Sequence, residues 1–119
     1  MLVDDNETFL ASARRLLESQ GVEVVGTATN GREALLLVDA LSPDLVLVDV
    51  ELGEEDGCAL ARQLSARLPS ASVVLISTYT RDEMRELIAA CGASGFLTKS
   101  HLSGDAVRAL LNGGQREAR

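Results

Sequence analysis

Short apolar runs rich in β-branched residues alternate along the chain with stretches whose apolar residues recur every three and four positions. The runs Leu2–Asp4, Val22–Thr27, Leu45–Asp49, Val73–Ser77 and Gly95–Thr98 read as strands. Between them, Phe9, Leu10, Ala13, Leu16 and Leu17 fall on one helical face, with Arg14, Arg15 and Glu18 opposite. A second helix carries Ala34, Leu35, Val38 and Leu41 and stops before Ser42-Pro43. A third carries Leu60, Ala61, Leu64 and Leu68 and ends at Pro69; Met84, Leu87, Ile88 and Cys91 mark a fourth. The fifth opens on Ser103 as N-cap, with Asp105 in its first turn and Val107, Leu110 and Leu111 behind it. Runs such as Leu45-Val46-Leu47-Val48 are apolar without alternation, as parallel strands covered on both faces require. The pattern predicts an α/β fold, a (βα)5 doubly wound sandwich with right-handed crossovers. The domain is expected over 1–112, and 113–119, beginning Gly113-Gly114, reads as a tail or the start of a linker.

Composition narrows the chemistry. The 119 residues make one domain, 46% hydrophobic and 24% charged, which excludes disorder. A net charge of −7 argues against direct grip on a nucleic-acid backbone by this domain. The longest apolar stretches, Ala34–Val38 and Leu87–Cys91, fall far short of a membrane helix. Met1-Leu2-Val3-Asp4-Asp5 lacks the features of a signal peptide, so a cytoplasmic location without membrane contact is expected. The single histidine, His101, and the two cysteines, Cys58 and Cys91, offer no zinc or dithiol motif. Both cysteines are read as free, buried thiols, because a reducing compartment disfavours a disulfide.

The polar residues that end the strands carry more. Strand one ends in Asp4-Asp5, strand three in Asp49, strand four in Ser77-Thr78 and strand five in Thr98-Lys99. In a parallel sheet these ends share one edge. If the strand order is 2-1-3-4-5, strands one and three adjoin at the switch point, and Asp4, Asp5 and Asp49 share one crevice. Two carboxylates ~4 Å apart repel by about 4 kcal/mol at an effective dielectric of 20. Such a cluster takes up protons or holds a hard cation, and oxygen ligands with open positions suit Mg²⁺ (or Mn²⁺). Lys99 adds a compact positive charge and Ser77 a hydroxyl donor. Together they form a site for phosphoryl transfer to an aspartate.

Val3-Asp4-Asp5, Val46-Leu47-Val48-Asp49-Val50, Asp56-Gly57, Ile76-Ser77 and Gly92-Ala93-Ser94-Gly95-Phe96-Leu97-Thr98-Lys99 together resemble the receiver domain of a two-component response regulator. The likeness covers nearly the whole chain, and the flavodoxin/CheY-like order 2-1-3-4-5 comes with it. Lys99-Ser100, without proline, is similar to receivers of LuxR/NarL-type transcription regulators. The resemblance implies that Asp49 accepts a phosphoryl group from a phosphohistidine of a sensor histidine kinase. It implies that Asp5, Asp49 and the Glu51 backbone carbonyl ligate Mg²⁺, with Asp4 acting through water. Lys99 would pair with the phosphoryl oxygens, Ser77 would donate to them, and Phe96 would rotate inward. Glu51, Thr78 and Tyr79 would tune access and phosphoryl lifetime. Helix four, strand five and helix five would report the change, commonly by homodimerisation, and DNA would be met only through an output domain outside this chain. The domain would be a phosphoacceptor that assists its own modification and its reversal, and not an enzyme.

Competing readings attach to the same residues. Asp4-Asp5 taken alone reads as a helix N-cap. A haloacid-dehalogenase-type phosphatase needs a second Asp two positions after the nucleophile, where Glu51 stands. A flavodoxin-like carrier needs a phosphate loop after strand one, and none is present. A docking and dimerisation module independent of phosphorylation is the serious rival. Leu52-Gly53, in place of the family's usual Met-Pro, is expected to loosen the acceptor loop. The Lys99–Ser100 peptide is expected to be trans.

Overall fold

A computed structural model describes residues 1–112. The tail expected over 113–119 lies outside the described residues. Five parallel strands form the sheet: β1 (Leu2–Val3), β2 (Thr27–Ala28), β3 (Leu45–Asp49), β4 (Ser72–Ser77) and β5 (Gly95–Thr98). Their spatial order is β2-β1-β3-β4-β5, so the chain reverses direction across the sheet at the β1/β3 boundary. Helices α1 (Glu7–Ser19), α2 (Gly31–Leu41), α3 (Gly57–Arg67), α4 (Arg85–Cys91) and α5 (Gly104–Leu111) make the crossovers.

Period-two alternation within the buried strands divides the core in two. Val3, Val46, Val48, Val73, Leu75 and Phe96 pack with residues of α2, α3 and α4 on one face. Leu2, Leu45, Leu47, Val74 and Ile76 pack with α1 and α5 on the other. Each strand therefore feeds both faces, which explains why its sequence shows no polar alternation. Helix boundaries follow local chemistry. Asn6, Asn30, Asp56 and Ser103 cap the starts of α1, α2, α3 and α5 through their side-chain oxygens. Gly92, at φ +73°, closes α4.

Three sequence expectations are corrected. The strand expected over Val22–Thr27 shrinks to Thr27–Ala28, because the β1 ladder reaches only Leu2 and Val3. The acceptor loop is pinned rather than loosened. Glu51–Leu52 pairs antiparallel with Glu55–Asp56, and Gly53 adopts φ +62°, the positive value a two-residue hairpin turn demands. Glu55 Oε1 then accepts from the Gly31 N–H at 2.8 Å, tying the hairpin to the start of α2. Finally, Cys58 and Cys91 are not free thiols but a disulfide. Packing of the first turn of α3 beside the last turn of α4 brings their Cα atoms to 5.4 Å, within disulfide range, and sequence spacing carries no trace of that approach. Among the described residues no peptide bond is cis, in agreement with the trans Lys99–Ser100 bond expected without proline.

Candidate functional site

The site forms where the C-terminal ends of β1, β3, β4 and β5 meet. Register pairs Val3 with Val48, so Asp4 and Asp49 follow side by side at the ends of adjacent strands. Asp4 is fully buried, Asp49 nearly so, and Asp5 is exposed at the mouth. One carboxylate oxygen from each of Asp4, Asp5 and Asp49 lies within 4.8 Å of the others. That spacing and the hard oxygen donors suit a divalent cation. Asp4 Oδ1 accepts from the Asn6 N–H at 2.9 Å, whereas its buried Oδ2 has no directed hydrogen bond. Charge alone serves that oxygen, for Lys99 Nζ stands 2.6 Å away. The N-cap role that Asp4-Asp5 would have alone belongs to Asn6, which accepts from the Phe9 N–H at 3.1 Å.

Lys99 completes the cluster from the turn directly after β5. Its ammonium reaches Asp49 Oδ2 at 3.4 Å and lies 4.4 Å from the centre of the Phe9 ring. Phe9 reads in the sequence as one more apolar residue of α1, and only the tertiary fold turns its ring toward Lys99. Burial pushes the Asp49 carboxyl up to about 6, helped by the adjacent Asp4 charge and opposed by Lys99 and the Glu51 N–H. That N–H donates to Asp49 Oδ1 at 3.1 Å, and the Glu51 side chain is exposed.

Ser77 is buried at the end of β4, and its Oγ accepts from the Tyr79 N–H at 3.0 Å. Thr78 and Tyr79 are exposed on the loop that follows. Thr98 Oγ1 donates to the Tyr79 carbonyl at 3.3 Å, fastening this loop to β5. Phe96 is buried on the α4 face, with Arg81 over its ring and donating to its carbonyl at 3.0 Å. Arg81 has no sequence signature, because the contact depends on how the loop folds back.

The acceptor loop also explains Asp56-Gly57. A Cβ at Gly57 would collide with the Asp49 carbonyl and stand 2.7 Å from that of Val50. Gly57→Ala is therefore expected to cost about 2 kcal/mol or more, read as a lower urea midpoint at unchanged slope. An unchanged midpoint would show that the loop yields freely. A cavity of about 450 Å³ opens at the opposite end of the sheet and does not touch the carboxylates. No helix among the described residues is long and apolar enough to cross a membrane.

Comparison with known proteins agrees with this geometry. The family described as response regulator receiver domain matches residues 1–111. The protein-glutamate methylesterase/protein-glutamine glutaminase of Alkalilimnicola ehrlichii is 38% identical over 88% of this chain and 28% of its own length. The DNA-binding transcriptional activator DevR/DosR of Mycobacterium tuberculosis is 33% identical over 95% of this chain and 52% of its own. The chain thus spans between about a quarter and a half of these relatives. A Burkholderia pseudomallei response regulator, solved with a phosphorylated aspartic acid, calcium ion and citrate, superposes with a TM-score of 0.80 at 29% identity, covering 98% of this chain and 69% of that one. This chain belongs to the response regulator receiver domain family.

Proposed function

We propose that Asp49 is the phosphoacceptor of this receiver, modified by a sensor histidine kinase in a Mg²⁺-dependent step. The single observation that carries the reading is the convergence of three carboxylate oxygens within 4.8 Å of one another beside the Lys99 ammonium. Asp5, Asp49 and the Glu51 carbonyl would hold the metal, with Asp4 behind them through water. Bound there, Mg²⁺ supplies positive charge to the transferring phosphoryl oxygens. Asp49 attacks phosphorus as the carboxylate: its oxygen–phosphorus bond forms while the nitrogen–phosphorus bond of the donor phosphohistidine breaks. The electron pair leaves with the imidazole, which takes up a proton. Lys99 moves its pairing from Asp49 toward the new phosphoryl oxygens, and Ser77 exchanges the Tyr79 amide for them. Glu51, Thr78 and Tyr79 flank the approach to the acceptor and tune the lifetime of its product.

The modified state is read at the surface of α4, β5 and α5, with Phe96 beneath α4 as the switch residue, and homodimerisation there is the expected output. Lys99-Ser100 without proline supports a transcriptional output through a DNA-binding domain outside this chain, as in the similar DevR/DosR. Incubation with Mg²⁺ and acetyl phosphate should add the mass of one phosphoryl group. Asp49→Ala should add none. No gain in the wild type would return the chain to a docking module independent of phosphorylation, and an undiminished gain in Asp49→Ala would place the acceptor elsewhere.

A further inference from the structure

We propose that Cys58 and Cys91 form a reversible redox-modification site that couples the thiol–disulfide balance to the mobility of α4. Cys58 lies in the first turn of α3, directly after Gly57, which packs against the Asp49 and Val50 carbonyls. Cys91 is the last residue of α4 and its only buried one. The remainder of α4 holds on weakly. It spans 7 residues, its N-cap Met84 makes no side-chain capping bond, and Met84, Leu87 and Ile88 are only partly buried. The disulfide is therefore the deep anchor of this helix, and it joins α4 to the element that abuts the candidate acceptor. It closes a 33-residue separation, so forming it removes substantial chain entropy from any state in which α4 lifts away.

The two sulfurs have different roles. Both are buried, Cys91 at 1% exposed and Cys58 at 8%, so Cys58 is the less enclosed of the two and the one an external thiolate meets first when α4 lifts. Arg62 Nη1 lies 3.3 Å from Cys58 Sγ and 3.5 Å from the Cys91 carbonyl. Its guanidinium and the α3 N-terminus place positive charge beside the Cys58 sulfur; Asp56 opposes this, but its carboxylate is taken up by the Cys58 and Ala59 N–H groups. The exchange partner is a low-molecular-weight thiol. Its thiolate attacks Cys58 Sγ, the bond to Cys91 breaks, and the electron pair passes to Cys91 Sγ, which is protonated. A second thiolate releases Cys58 and leaves the small disulfide; the reverse sequence, with that disulfide as oxidant, re-forms the bridge.

The regulatory consequence rests on the phosphoacceptor reading, whereas the redox chemistry does not. The 119-residue chain is equilibrated across glutathione/glutathione disulfide ratios, quenched by alkylation and weighed. Both thiols should titrate together within the ratios of a thiol-buffered compartment. Amide exchange of 85–91 should be about tenfold faster in the reduced protein. Acetyl phosphate with Mg²⁺ should then alter that exchange several-fold in the reduced protein and little in the oxidised one. Cys91→Ser should match the reduced protein in every buffer. A bridge that resists millimolar glutathione, one that never forms, or α4 exchange indifferent to its state overturns the proposal. A missing phosphoryl mass gain in both redox states overturns the acceptor reading instead and leaves the redox titration standing.

Discussion

Asp49→Asn stabilises the metal-free domain and abolishes most of the stabilisation that Mg²⁺ gives the wild type. The side chain sits among anionic oxygens with one ammonium shared between itself and Asp4. Asparagine keeps an oxygen to accept from the Glu51 N–H and removes the charge. The carboxyl, ordinarily at 3.8, is pushed up to about 6 by burial and by Asp4, so the folded state binds its proton more tightly than the unfolded chain does. Its contribution favours folding below about pH 4 and is lost as pH rises through about 6. That displacement corresponds to about 3 kcal/mol at most, and water at the mouth of the site reduces it to about 1–2 kcal/mol. Thermal melts in EDTA at pH 7 should show the variant melting roughly 4–10 °C higher, with the advantage vanishing near pH 4. Saturating Mg²⁺ should reverse the ranking, because ligation needs the ionised form. A variant no more stable than wild type in EDTA, or an advantage independent of pH, would refute the charge argument.

Lys99→Met has the larger opposite effect. The ammonium is the cation facing the buried Asp4 Oδ2, which has no hydrogen-bond donor of its own. Its loss leaves a fully buried carboxylate unpaired, and breaking such a pair costs about 3 kcal/mol or more. Urea unfolding at pH 7 should register that loss, and adding Asp4→Asn should recover most of it. Mg²⁺ affinity of Lys99→Met should rise, since the metal becomes the only counter-charge. Acetyl phosphate labelling should fall even in refolded protein, because the phosphoryl oxygens lose their partner. Stability within ~0.5 kcal/mol of wild type would show that Asp4 is neutralised by other means.

The candidate site was legible because its chemistry sits at strand ends. A carboxylate directly after Leu45-Val46-Leu47-Val48 has no place in an apolar layer, and parallel connectivity brings every such end to one edge. Asp4, Asp5, Asp49 and Lys99 are accordingly found together. The helices were legible from their apolar stripes and from breaks such as Ser42-Pro43 and Pro69. Asn6 was legible in principle, since an Asn just before an apolar periodic run is a start signal, but the neighbouring acids obscured it. Phe9 facing Lys99, Arg81 over Phe96 and Glu55 bonded to Gly31 depend on side chains crossing between elements distant in the chain. Nothing local marks them.

The amino-acid order alone determined the alternation of strands and helices, the edge on which the polar residues gather, and the need for a counter-charge among them. Those properties follow from period, burial and charge, which act within a few residues. Tertiary packing decided the rest: how far the β1 ladder runs, the hairpin that pins the acceptor loop, and the meeting of Cys58 with Cys91. The ladder, the Glu55–Gly31 bond that holds the hairpin in place and the meeting of the cysteines depend on elements tens of residues apart, whose placement is set by how two apolar layers close on a twisted sheet rather than by any local preference.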